Sequence, residues 1–284
     1  MLHSSVTSTL HNSTIKMRTS LAALLLWGVS PLASVAFAKV CSYGDNPQII
    51  AHAGEPVGRE QMYNGVNLYI SKPSCKKPKV GVLYITDVFG IQHVQNKLLA
   101  DSFARAGFMV VAPDMFDGKP APMDFNTPGF NATEFTLKHS PNATDPILAK
   151  AVAYLQTTGV EKIAATGYCY GGRYAFRVLA AGKGVDAGFA AHPSLLEDVE
   201  IQAITRPISV AAAEIDNMMN STRRSQIEAL LANGTQPYQV NLYGGTSHGF
   251  GVRANVSNPE EKFGKEAAFY QAVRWFDAWA GGAL

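Results

Sequence analysis

Gly167-Tyr168-Cys169-Tyr170-Gly171-Gly172 follows the apolar run Lys162-Ile163-Ala164-Ala165-Thr166 and precedes a helix-like segment over 173–181. A buried strand, a sharp turn and a helix are thus written in one stretch, with Cys169 at the apex, where most nucleophile-bearing turns of this kind hold serine. Such a turn holds its apical residue in a strained backbone conformation, and a side chain on either flank would collide with the strand or the helix. Gly167 and Gly171 supply that room. A buried free cysteine in a Gly-rich turn is the plainer reading of G-x-C-x-G alone. The flanking strand and helix favour a nucleophile.

A cysteine nucleophile of this type is followed along the chain first by an acid and then by a histidine. Pro207-Ile208-Ser209-Val210-Ala211-Ala212-Ala213 reads as a short buried strand running into Glu214-Ile215-Asp216. Asp216 therefore falls just beyond a strand's carboxyl end. A later strand over 238–243 leads into Gly244-Gly245-Thr246-Ser247-His248-Gly249-Phe250. Taken singly, Asp216 is a turn residue and His248 a loop histidine. In this order and at matching strand ends, they read as an orienting acid and a base. Glu214 is the rival acid, since alternation along an extended segment puts it on the same side; Asp216 is preferred because it lies nearer the turn.

Thr86-Asp87-Val88-Phe89-Gly90, Pro113-Asp114-Met115-Phe116, the 167–172 stretch, His192-Pro193-Ser194, Ala213-Glu214-Ile215-Asp216 and His248-Gly249-Phe250 recur in order along the chain. On these residues the chain resembles the dienelactone hydrolase family of α/β hydrolases, in particular its eukaryotic secreted branch. The resemblance implies Cys169, Asp216 and His248 as a triad, with backbone N–H groups of Tyr170 and Val88 as an oxyanion hole. Where bacterial members carry glutamate this chain has Asp87, a shorter acid expected in an auxiliary role. The resemblance also implies a small carboxylated lactone as substrate, usually held by arginines. Arg253 and Arg173 are the candidates, with Phe89 and Phe250 as apolar pocket walls.

Strand-like runs over 66–71, 80–85, 108–112, 163–166, 185–191, 208–213 and 239–243 alternate with helical patterns. The spacing predicts a helix over 93–105, a second with Asp145 as N-cap and Pro146 in its first turn, and a last helix from Asn258-Pro259-Glu260-Glu261 to Trp279. Alternation of this kind predicts an α/β-hydrolase fold: a mostly parallel, doubly wound sheet flanked by helices, with ligands at the strands' carboxyl ends. Residues 39–284 are read as one such domain.

Residues 1–38 read as a targeting segment: Lys16-Met17-Arg18 gives positive charge, residues 21–29 an apolar core, and Ala36-Phe37-Ala38 a small-x-small cleavage site. The expected location is extracellular, with no stable membrane anchor because the apolar run is short and interrupted by Ser30 and Pro31. Of the three cysteines, assigning Cys169 to catalysis leaves Cys41 and Cys75 for a disulfide. Asn131, Asn142, Asn220, Asn233 and Asn255 are N-glycosylation acceptors.

A net charge of +2 is too weak to imply nucleic acid or another polyanion as partner. His52, His93, His139 and His192 show no metal-ligand spacing and read as surface or turn residues, His192 being the one whose strand-end position brings it towards the pocket. No cofactor is expected. The expected partner is a small lactone or ester, and the expected assembly a monomer or weak homodimer. The chemistry predicted is thiolate attack on an activated ester, an acyl-thioester and its hydrolysis. The alternatives are a general esterase or thioesterase on the same triad, and a small-molecule binding protein with weak turnover.

Overall fold

The computed structural model of the protein describes residues 49–74 and 77–282. The predicted targeting segment 1–38, Cys41 and Cys75 lie outside the described residues. The chain builds strands β1 (Arg59–Tyr63), β2 (Val66–Ser71) and β3 (Val80–Ile85), helix α1 (Val94–Arg105), strand β4 (Met109–Pro113), and helices α2 (Ala132–Lys138) and α3 (Pro141–Thr157). There follow β5 (Lys162–Tyr168), α4 (Tyr170–Arg177), β6 (Ala187–Ala191), α5 (Asp198–Gln202), β7 (Ile208–Ile215), α6 (Ser221–Ala232), β8 (Tyr238–Ser247), α7 (Phe250–Arg253) and α8 (Pro259–Trp279).

The strands form one eight-stranded sheet of order β1-β2-β4-β3-β5-β6-β7-β8. Pairing is parallel from β4 to β8 and antiparallel where β2 meets β1 and β4. This is the mostly parallel α/β-hydrolase sheet that the alternation predicts. All six residues of β3 are buried, because helices cover both faces of a parallel sheet and leave no polar side. Strand periodicity then divides its side chains: Val82 and Tyr84 join α1 and α8 on one face, whereas Leu83 and Ile85 join α3, α4 and α6 on the other.

Among the elements that depart from expectation are β1 and α3. β1, Arg-Glu-Gln-Met-Tyr, carries no apolar run because it is an edge strand with largely exposed side chains. Helix α3 begins five residues earlier than predicted, with Ser140 as N-cap and Pro141 at the start, so Pro146 sits inside the helix. Asp145 caps nothing; its carboxylate instead pairs with Arg177. Among the described residues no helix is long and apolar enough to cross a membrane.

Candidate active site

Cys169 stands between β5 and α4 with φ 52° and ψ −114°, a conformation that costs a side-chain-bearing residue about 1–3 kcal/mol. The surroundings force it. A Cβ at Gly167 would lie 2.1 Å from the Gly171 carbonyl oxygen, and one at Gly171 would lie 2.3 and 2.4 Å from the oxygens of Ile85 and Thr86. Helix α4 therefore passes tightly against β3 and β5 only because both flanks lack a side chain. The Cys169 N–H donates to the Ala191 carbonyl at 3.1 Å, which ties the turn to the neighbouring strand β6.

Asp216 and His248 come together at the ends of β7 and β8. Asp216 lies just beyond β7, is almost fully buried, and accepts the N–H groups of Met218 and Met219 on Oδ1 at 2.7 and 3.0 Å. Its Oδ2 is 2.8 Å from Nδ1 of His248. With Nδ1 turned to the carboxylate, Nε2 is the imidazole nitrogen left for the Cys169 thiol, with which His248 also interacts. Glu214, the rival acid, is exposed and accepts the Gly245 N–H at 2.8 Å, anchoring a bulge where β8 departs from β7. That irregularity separates two acids which simple alternation leaves equivalent.

Burial lowers the pKa of His248, but hydrogen bonds to Asp216 and Cys169 outweigh it and raise it to about 10. A histidine whose folded pKa lies above its ordinary value of about 6.5 stabilises the fold fully below that value and loses the contribution as pH rises through the folded one. The stability gap between wild type and His248→Asn should therefore narrow as pH is raised from about 6.5 to about 10. Urea midpoints measured across that window check it. A gap independent of pH would mean that the imidazole is not held as a cation.

The turn after β6 brings two further side chains to this place. His192 has φ 38°, is fully buried and packs edge-on against His248 with ring centroids 5.0 Å apart. Its Nε2 accepts the Gly251 N–H at 3.3 Å, while Nδ1 has no hydrogen-bond partner among the described residues. Burial and the neighbouring His248 push its pKa well below the ordinary histidine value, so it is neutral. Of the sequence reading of His192 as a surface or turn residue, the turn holds and the surface does not, and its strand-end position is the signal that brings it to the pocket. Ser194 is also buried, with Oγ 3.6 Å from Cys169 Sγ and N–H donating to the Cys169 carbonyl at 3.0 Å. His139, likewise expected at the surface or in a turn, is buried in the turn that ends α2, where its carbonyl accepts hydroxyls of Tyr170 and Tyr174.

After β3, Asp87 is wholly buried and its carboxylate is divided between three donors. Oδ1 accepts the Asn96 amide at 2.9 Å and the Phe89 N–H at 3.2 Å, and Oδ2 pairs with Arg253 Nη1. The Arg253 guanidinium also lies over the Phe89 ring, 4.4 Å from its centroid. Burial lowers its pKa to about 10, still well above neutrality. The Val88 N–H has no acceptor among the described residues, and the Tyr170 N–H, first in α4, lacks a helical one. Both are donors open to a bound oxygen.

Arg173 is not available to a substrate. Its Nε donates to Glu200 at 2.8 and 2.9 Å and its Nη2 to Glu197, so it braces α4 against α5. The side chain is neither a carboxylate clamp nor a solvated surface group. Phe250 is buried in the core against His192 and Tyr243, which makes it a support beneath the histidine loop. Phe89 instead stacks on Phe125, 5.9 Å away, and Phe125 on Phe130 at 5.8 Å. The loop carrying these rings is fastened to the site by the Ala121 N–H, which donates to the Val88 carbonyl at 2.9 Å.

A strained cysteine, an imidazole fixed by a buried carboxylate and two open N–H donors can support nucleophilic acyl transfer. Comparison with known proteins agrees with that chemistry. Residues 66–280 match the dienelactone hydrolase family. The chain is 37% identical over 227 residues to hydrolase pyvD of Aspergillus violaceofuscus, covering 80% of this chain and 92% of that one. It is 28% identical to dienlactone hydrolase 1 of Gibberella moniliformis, covering 80% and 90%. Among solved structures, it resembles a dienelactone hydrolase-like promiscuous phosphotriesterase from metagenomic libraries with a TM-score of 0.64 at 18% identity, covering 80% and 99%. That last likeness concerns the fold.

Proposed function

We propose, from the premise that this chain belongs to the dienelactone hydrolase family and is an ester and lactone hydrolase, that Cys169 is its nucleophile. His248 takes the thiol proton on Nε2, and Asp216 holds the imidazole in that orientation and balances its charge. The sulfur attacks the carbonyl of a small lactone or ester, and the oxyanion accepts the N–H groups of Tyr170 and Val88. Collapse expels the alkoxide or enolate, which is protonated from His248, and leaves a thioester on Cys169. Water, deprotonated by His248, then hydrolyses the thioester and regenerates the thiol.

The observation that carries this reading is the strained Cys169 turn beside the His248–Asp216 hydrogen bond. A thiolate leaves more readily than an ordinary alkoxide or an amine anion, so activated esters and enol lactones suit it and peptides do not. Arg253 and Phe89 flank the Val88 donor and are the side chains we assign to substrate contact. Because Asp87 already balances the charge of Arg253, the guanidinium offers a substrate hydrogen bonds more than net charge. Trapping during turnover of a chromogenic short-chain ester tests the route: intact-protein and peptide mass spectrometry should place the acyl group on Cys169. An acyl group on another residue, or none under conditions of a kinetic burst, refutes it.

We also propose that the protein is secreted, with Cys41 and Cys75 joined and Cys169 free. Support comes from the targeting pattern and from the acceptors Asn131, Asn142, Asn220, Asn233 and Asn255, all exposed. Asn131 and Asn220 cap helices through their side-chain oxygens, a role that does not engage the amide nitrogen, the atom a glycan uses. Peptide mapping under non-reducing conditions should find the Cys41–Cys75 crosslink; two free thiols there would refute it.

A further inference from the structure

We propose that Ser194 is a hydrogen-bond donor to the Cys169 sulfur, holding the thiolate that attacks the substrate. This rests on the reading of Cys169 as nucleophile and adds a residue to it. Ser194 Oγ lies 3.6 Å from Sγ, within hydrogen-bond reach for the larger sulfur atom. No other partner of that hydroxyl is found among the described residues, and Ser194 is 3% exposed. A buried hydroxyl with one neighbour has one place to put its proton. Sulfur is a poor acceptor as a thiol and a much better one as a thiolate, so the contact strengthens when His248 takes the proton.

The backbone fixes this geometry from both sides. β6 lies beside β5 with Ala191 opposite Tyr168, and the Cys169 N–H and Ala191 carbonyl close one hydrogen bond while the Ser194 N–H and Cys169 carbonyl close another. Pro193 sits between them against Gly172, where a Cβ would come within 2.8 Å of it. Ser194 thus reaches the sulfur from the β6 side, while His248 comes from beyond β7. The other titratable groups at these strand ends are Asp216, paired with His248, the exposed Glu214, which accepts the Gly245 N–H, His192, which is buried and neutral behind His248, and the mutually paired Asp87 and Arg253. The hydroxyl proton stays on Ser194 throughout; the thiol proton alone is transferred, to His248.

The test is the pH dependence of iodoacetamide alkylation of the full-length protein, followed by mass spectrometry on the peptide containing Cys169. In Ser194→Ala the midpoint should move to higher pH, so that alkylation at neutral pH is about tenfold slower, while the rate at the high-pH plateau is undiminished or greater because the thiolate has lost a donor. Ser194→Thr, which keeps the hydroxyl, should restore the wild-type midpoint. Ser194→Gly serves as the second hydroxyl-free variant if the alanine form does not fold. A purely structural role would lower stability without moving the midpoint, and an unmoved midpoint in a folded Ala or Gly variant overturns the proposal. The alkylation profile reads the sulfur directly, so it is informative even if Cys169→Ala were to retain turnover.

Discussion

Cys169→Ala should reduce hydrolysis of a chromogenic short-chain ester by about four to six orders of magnitude while leaving the fold intact. The nucleophile and base act as one unit, so His248→Ala should cost nearly as much and the double variant scarcely more. Asp216→Asn should cost less, about four orders of magnitude at most, because the two backbone donors near Val88 and Tyr170 and the binding of substrate survive it. The measurement is kcat/KM on variants shown to be folded by their near-ultraviolet circular dichroism. Substantial turnover in Cys169→Ala would remove the cysteine from the mechanism, whereas additive losses in the double variant would separate it from His248.

The second large effect falls on stability. Asp87 is wholly buried and Arg253 is its charged partner, so Arg253→Ala strands a carboxylate away from water with only the Asn96 amide and the Phe89 N–H. Removing one member of such a pair costs about 3–5 kcal/mol. Asp87→Asn should cost less, since the guanidinium retains some contact with solvent and the amide can still accept from its neighbours. In Arg253→Ala/Asp87→Asn the total loss should fall short of the sum of the single losses, because the stranded charge is gone. Urea unfolding of the single and double variants measures this. Additive losses would show that the two side chains are not energetically coupled.

The middle of the sheet is legible in the sequence because burial on both faces leaves no polar alternation: β3 is readable to its ends in the apolar run 80–85. The edges are less so, as the polar β1 shows. The three members of the proposed triad can be found by reading forwards, because each stands at a strand's carboxyl end and the strands themselves are visible. Of the neighbours of the triad, His192 shows itself only by its strand-end position, and which residue each neighbour touches cannot be found that way. His192 meets His248, and Ser194 meets Cys169, through the lateral order of β5, β6, β7 and β8, a long-range pairing that local pattern does not encode. Arg173 misled for the same reason: its acids, Glu197 and Glu200, arrive on α5, and nothing next to Arg173 in the chain announces them.

The bulge between β7 and β8 has a consequence for how activity is lost. β8 is the last strand of the sheet, paired on one side only, and its final register jumps from Tyr243 opposite Ala213 to Ser247 opposite Ile215. The intervening Gly244-Gly245-Thr246 segment is held in part by the exposed Glu214 carboxylate. Cys169, by contrast, follows a central strand with partners on both sides. Segments with few ladder bonds open in small, sub-global fluctuations that leave the rest of the molecule folded. On warming, His248 is therefore expected to leave its register before Cys169 moves, so hydrolysis should fade reversibly below the temperature of global unfolding, by a loosening of one hem of the sheet that parallel activity and circular dichroism melts would check.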